Sequence, residues 1–161
     1  MQKYHFHNRP DRELTAPEEI AEILGNGKFA VISMCRNNEP YIVTLSYGYD
    51  STDNSLYFHC APQGLKLDFL AANPQVCATI IEDGGYVETE CAHNFRTVVF
   101  WGNMHSVTDL EQKKHGMEVL LRHLESDNNM VAEKLTKSEN YYSRMELLKL
   151  EITQIHGKAG K

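Results

Sequence analysis

The chain has 161 residues, 42% of them hydrophobic and 24% charged, with a formal net charge of −6. That length gives one domain with a core that needs no disulfide or metal, and the negative charge disfavours nucleic acid or an anionic membrane as partner. No apolar run approaches the roughly 18 residues of a membrane-spanning helix, and the opening MQKYHFHNRPDRE lacks the apolar centre of a signal peptide, so a cytoplasmic location is expected.

Residues 1–13 read as a polar N-terminal segment. Its His5 and His7 are taken as solvated, and no metal site is expected. Thr15 and Glu18 form a capping box, with Pro17 in the first turn. Ile20, Ile23 and Leu24 then recur at helical spacing, and Gly25 and Gly27 end the helix. Phe29 to Cys35 (FAVISMC) predicts a strand buried on both faces. After the Asn37-Asn38 turn, Tyr41 to Tyr49 predicts a second strand, and Leu56 to His59 a third. The links are short, which implies antiparallel hairpins. A helix follows Gly64, with Leu67, Leu70 and Ala71 on one face, and stops at Asn73-Pro74.

Val76 to Ile81 predicts a fourth strand, and Asp83 to Asn94 a polar loop long enough to be functional. Phe95 to Val107 predicts a fifth strand, in which Gly102 marks a bulge or a close approach. Thr108 and Glu111 form a second capping box, ahead of a helix with Leu110, Met117, Leu120, Leu121 and Leu124 on its core face. A further helical piece is expected over Val131 to Tyr142, and a sixth strand over Met145 to Ile155. Residues 157–161 close the chain as a polar tail. Cys35, Cys60, Cys77 and Cys91 have no CxxC spacing and read as small buried hydrophobes. The element order predicts a mainly β, α+β fold: a small barrel of six mostly antiparallel strands with helices at its edges, not a doubly wound sheet.

No GxGxxG, GxxxxGK[ST] or GxSxG pattern is present, so dinucleotide-loop, P-loop and serine-hydrolase chemistry have no support. The stretch His59-Cys60-Ala61-Pro62-Gln63-Gly64-Leu65-Lys66 runs from a strand into a helix. Unpaired amides at a helix start attract anions, and a lysine in the first helical turn is unfavourable unless an anion joins it. Two readings stand at this stage: an anion site, or a plain turn with a solvated lysine. Thr44, Ser46 and Tyr47 are placed on a strand pairing with Leu56 to His59, where they bring hydroxyls to the same site or simply pair across the sheet. Arg96 and Thr97 open the fifth strand; the guanidinium either grips a phosphate or faces solvent. Trp101 is the only tryptophan and reads as core or interface.

TLSYGYD at Thr44 to Asp50, LYFHCAPQGLKLDFLAANPQV at Leu56 to Val76, EDGG at Glu82 to Gly85 and FRTVVFWGN at Phe95 to Asn103 resemble the flavin-binding split-barrel proteins related to pyridoxamine phosphate oxidase, most of all their 5-nitroimidazole antibiotic resistance branch. The resemblance covers nearly the whole chain. It implies a single split-barrel domain that dimerises and holds FMN, or FAD, in clefts between subunits. It also implies cofactor contacts from Thr44, Leu45, Ser46 and Tyr47, from Phe58, His59, Cys60 and Ala61, and from Arg96, Thr97, Val98 and Trp101. Gly64, Lys66 and Leu67 would hold the phosphate end. His59 is the candidate catalytic or ring-contacting side chain, with a hydrogen bond to phosphate or backbone as its alternative role. The activity implied is reduction of a small nitroaromatic or similarly electron-poor substrate. A non-catalytic flavin- or haem-binding module is the alternative, and pyridoxamine phosphate oxidation a weaker third.

Overall fold

The computed structural model describes residues 9–127, 129, 133, 141, 142 and 144–160. His5, His7 and nearly all of the helical piece expected over 131–142 lie outside the described residues. The elements are β1 (Glu13–Leu14), α1 (Pro17–Asn26), β2 (Phe29–Arg36), β3 (Glu39–Ser46), β4 (Gly48–Asp50), β5 (Ser55–Cys60), α2 (Leu65–Ala72), β6 (Gln75–Val87), β7 (Ala92–Ser106), α3 (Leu110–Leu124) and β8 (Glu146–Gly160). Every strand pair is antiparallel.

Seven strands run in the order β3-β2-β6-β7-β8-β5-β4, and β1 pairs with β8 outside that path. The two ends of this order, β3 and β4, are consecutive in the chain and separated by Tyr47 alone. A sheet whose edge strands share one linking residue has to curl until those edges meet, so the sheet is a barrel that closes by covalent connection. The mainly β antiparallel fold with edge helices is therefore confirmed, with eight strands among the described residues in place of the expected six.

The extra strands correct several expectations. Tyr41 to Tyr49 is not one strand: β3 pairs with β2 and β4 with β5, because the chain breaks at Tyr47. Tyr47 is fully buried and its hydroxyl donates to the Leu24 carbonyl at 2.7 Å. Thr44 and Ser46 therefore lie opposite Val31 and Phe29, not opposite β5. The expected Asp83 to Asn94 loop is a β-hairpin, since β6 and β7 pair out to Val87 and Ala92, with a bulge between Asp83 and Tyr86. The polar tail is strand as far as Gly160, paired with Phe95. Gly102 does mark a bulge: the β7–β8 register shifts there, and a β-carbon would collide with the Glu151 carbonyl.

The capping residues also move. α1 starts at Pro17 with Ala16 at its N-cap and no side-chain cap, so Thr15 and Glu18 form no box. On α3 the cap is Asp109, whose Oδ1 accepts from the Gln112 amide at 2.9 Å, in place of Thr108. α2 buries Phe69 and Leu70 and leaves Ala71 exposed.

The barrel interior holds Ala30, Ile32, Tyr47, Leu56, Phe58, Ile80, Val98, Phe100, Leu148 and Leu150, with Ile23 and Leu24 of α1 packed among them. A second cluster lies between the barrel wall and α3: Tyr57, Leu147, Met117, Leu120 and Leu121. β2 alternates strictly, burying Ala30, Ile32 and Met34 only, so it is not buried on both faces. On its outer side Phe29 is 57% exposed, Ile42 of β3 64% and Ile81 of β6 58%. Of the cysteines, Cys60 is buried and Cys77 half-buried, but Cys35 and Cys91 are exposed, against the expectation of four buried hydrophobes.

Candidate functional site

β5 ends at Cys60 and α2 begins at Leu65, with Gly64 at its N-cap. Gly64 has φ 140°, a conformation that side chains disfavour. It lets the chain turn sharply without putting a β-carbon over the helix end. No side chain caps α2; the Leu67 amide donates to the Gly64 carbonyl at 2.9 Å. Lys66 folds back over this end, its Nζ 3.7 Å from where a Gly64 β-carbon would stand, and it makes no ion pair among the described residues. The open positive helix end is thus joined by a full positive charge, an arrangement that an anion stabilises. α2 is fixed in place from below: the Arg36 guanidinium lies 4.4 Å over the Phe69 ring, and Asn73 Nδ2 donates to the Cys35 carbonyl at 3.1 Å.

Beside this turn lies a cleft of about 690 Å³, lined by His59, Cys60, Ala61 and Pro62 on one wall and Tyr141, Arg144 and Met145 on the other. Burial pushes the His59 pKa down, which favours the neutral ring. Burial pushes the Cys60 thiol up; Lys66 opposes this and Glu146 reinforces it. The net upward shift favours the protonated thiol at the cleft wall. Glu146 sits across from Cys60 in the β5–β8 register, and its Oε1 is buried without a hydrogen-bond partner among the described residues.

The other residues singled out from the sequence divide among three places. Thr44 and Ser46 are exposed on the outer face of β3, while Leu45 turns toward the core. Trp101 lies on the outer face of β7, its ring edge-on to His156 at 6.0 Å. Thr97 lies on that face too, its hydroxyl donating to the Ile80 carbonyl at 2.8 Å. Phe58, Tyr47 and Val98 are core residues and present only backbone to any ligand. Arg96 faces α1: Nε binds Glu82 and Nη1 binds Glu22, both at 2.7 Å. These two carboxylates raise its pKa further, and they occupy the guanidinium. Gly64, Lys66, Leu67, His59, Cys60 and Ala61 do come together. Tyr141, Arg144 and Met145 were missed, because nothing in their local pattern indicates that β8 returns beside β5.

A curled antiparallel sheet closed at one residue, with an uncapped helix end and a cleft at its β5–α2 corner, defines a split barrel with an anion-accepting corner. Residues 16–159 match the family model of pyridoxamine 5'-phosphate oxidase, and the chain belongs to that family. Among solved structures it is similar to a candidate 5-nitroimidazole antibiotic resistance protein of Bacteroides thetaiotaomicron, at 23% identity and TM-score 0.77, covering 92% of this chain and 86% of that one. It is similar to a FAD-binding protein of Mesorhizobium loti, at 23% identity and TM-score 0.68, covering 93% and 98%. The flavocytochrome Anf3 of Azotobacter vinelandii aligns at 17% identity and TM-score 0.81, covering 99% and 74%. A curated relative, an uncharacterised protein of Rhizobium meliloti, is 35% identical over 65 residues; the match spans 40% of this chain and 41% of that protein. No helix among the described residues is long and apolar enough to cross a membrane.

Proposed function

We propose that the protein is a homodimeric, flavin-dependent oxidoreductase that reduces a small, flat, electron-poor substrate such as a nitroaromatic. The observation that carries this reading is Lys66, an ammonium without an ion-pair partner among the described residues, at an uncapped helix end beside a large cleft. A flavin phosphate fits there: the first-turn amides of α2 and Lys66 donate to it, and Gly64 leaves the approach open. Glu146 Oε1, buried without a hydrogen-bond partner among the described residues, is an acceptor that a hydroxyl of the sugar-alcohol chain would satisfy. FMN and FAD both carry a phosphate that these contacts would hold, and the cleft extends toward Tyr141 and Arg144. When bound, the flavin supplies the electron transfer. His59, neutral and at the cleft wall, is placed to hold or pass a proton.

The dimer is supported by Phe29, Ile42 and Ile81, large apolar residues on one outer face of three neighbouring strands. Thr44, Ser46, Thr97 and Trp101 share that face, so a second subunit there brings a second wall to a flavin ring lying along it. The purified protein is expected to be yellow and to release FMN or FAD on heating, identified by mass spectrometry. A colourless protein that takes up neither flavin refutes the reading.

A second reading has the same cleft hold a flavin or haem without turnover. The similarity to a flavocytochrome and to a FAD and haem binding protein of Mycobacterium smegmatis supports it. Anaerobic titration with NAD(P)H separates the two. Rapid bleaching that a nitro compound reverses supports the enzyme, and absent bleaching supports the binding module.

A further inference from the structure

Tyr141, Tyr142, Arg144 and Met145 form a wall that α3 holds in place. Lys113 Nζ of α3 donates to the Tyr142 carbonyl at 3.4 Å and to the Met145 carbonyl at 3.1 Å. Tyr142 and Met145 are buried in the cluster under α3, and the Arg144 amide donates to the Tyr141 carbonyl at 3.3 Å. Burying residues 142 and 145 leaves Tyr141 and Arg144 exposed, and both line the 690 Å³ cleft across from His59. The Tyr141 ring stands edge-on to the buried Tyr142 ring at 5.5 Å, which restrains its orientation.

Charge singles out Arg144. Arg9, Arg36, Arg96 and Arg122 each pair with a carboxylate. Arg12 lines a recess together with Asp11, Glu13 and Glu19. Arg144 makes no ion pair among the described residues, and none of the described residues lining its cleft is a carboxylate. At its Cys60 edge the cleft meets Lys66 and Glu146, one charge of each sign. The guanidinium is thus the uncompensated charge, in a chain whose net charge is −6. A guanidinium is a planar fork that matches a carboxylate with two parallel hydrogen bonds. Beside it, Tyr141 offers an aromatic face on which a second ring can stack offset. The cleft volume falls within the roughly 300–1,000 Å³ of small-molecule sites.

We propose that this cleft binds a small planar aromatic carboxylate, its ring on Tyr141 and its carboxylate held by the Arg144 guanidinium, facing His59. Arg144 then selects acidic substrates over neutral ones of the same shape. The role of this molecule as the electron acceptor rests on the flavin reading; its binding does not.

The test is titration of the protein, as purified, with benzoate and separately with neutral benzamide, followed by chemical shifts of the Met145 methyl and the Tyr141 ring. Benzoate is expected to shift both and to bind more weakly as salt is raised. Arg144→Ala is expected to weaken benzoate by about tenfold to a hundredfold, as for a lost charge-assisted hydrogen bond, and to change benzamide by less than about twofold. Arg144→Lys keeps the charge but loses the fork, and should recover part of the affinity. Unfolding midpoints near wild type show that both variants keep the fold. Absence of shifts at Tyr141 and Met145, or an equal effect of Arg144→Ala on both ligands, overturns the proposal. So does a protein that releases FAD on heating and binds benzoate only after FAD is removed, since the adenylate of the cofactor is then the occupant. A protein that takes up no flavin yet binds benzoate through Arg144 refutes the flavin reading alone. A yellow protein whose benzoate binding is indifferent to Arg144 refutes this inference alone.

Discussion

An ammonium in the first turn of α2 opposes the positive end of that helix, an unfavourable contact that the proposed phosphate would remove. Lys66→Ala should leave the ligand-free protein at least as stable, while flavin affinity falls by about 1.5–3 kcal/mol, as for a lost charge-assisted hydrogen bond. Thermal unfolding with and without flavin, together with a fluorescence titration, reads both signs; unchanged affinity would show a solvated lysine. Lys66 was legible in the sequence because helix polarity makes a first-turn cation informative on its own. Arg96 was not. Its two carboxylate partners, Glu22 and Glu82, come from α1 and β6, and only the folded chain brings them to it.

At the scale of elements, β4 and α3 meet at Gly48. A β-carbon there would come within 2.5 Å of the Leu120 Cα and 2.6 Å of its amide nitrogen. Gly48→Ala should therefore push α3 off the barrel and cost about 1–3 kcal/mol, measured as a lower denaturant midpoint. Apolar periodicity marked α1, α2 and α3 in the sequence, since burying a stripe is what makes a short helix stable. The N-caps of α1 and α3 each lie one residue beyond the expected one, while α2 starts after Gly64 as expected. A Thr and an Asp in neighbouring positions are equally able to cap, and backbone direction decides between them. The Asp83–Asn94 stretch read as a loop because glycines and charges break strand patterning. Backbone pairing across the bulge holds it as a hairpin, with few buried side chains.

For the molecule as a whole, α3 is tied to the barrel by two histidines. His123 Nε2 bonds the Gly27 carbonyl at 2.5 Å, and its ring lies 4.8 Å from Tyr47. Burial pushes the His123 pKa down, Gly27 opposes this and Lys28 reinforces it. Its contribution to stability is complete above the unfolded pKa of about 6.5 and is lost as pH falls through the lower folded value. His115 bonds Asp50 at 2.7 Å. Burial pushes the Asp50 carboxyl up, but Thr52 and His115 together hold it below its ordinary value. That second contribution is present above about pH 3.9 and fades in stronger acid. The denaturant midpoint is expected to fall on acidification below neutral pH. In His123→Asn the first stage of that fall should be smaller; an identical profile would refute the assignment. Ile42→Glu places a charge in the exposed apolar face and is expected to yield monomers by light scattering, with reduced flavin retention.

Local physics written into the chain determined the strand and helix types, the Gly64–Lys66 corner and the mainly β class, because alternation, helical stripes and helix polarity act over a few residues. The resemblance of the Leu56 to Val76 block added the family. Tertiary structure alone decided that Tyr47 splits one apolar run into two strands on opposite sheet edges, and so that the sheet closes. It also decided that β8 runs beside β5 and brings Tyr141 and Arg144 to His59. Each of these contacts joins segments far apart in the chain. Such pairings are selected by the packing of the whole core and leave no periodic trace in either segment.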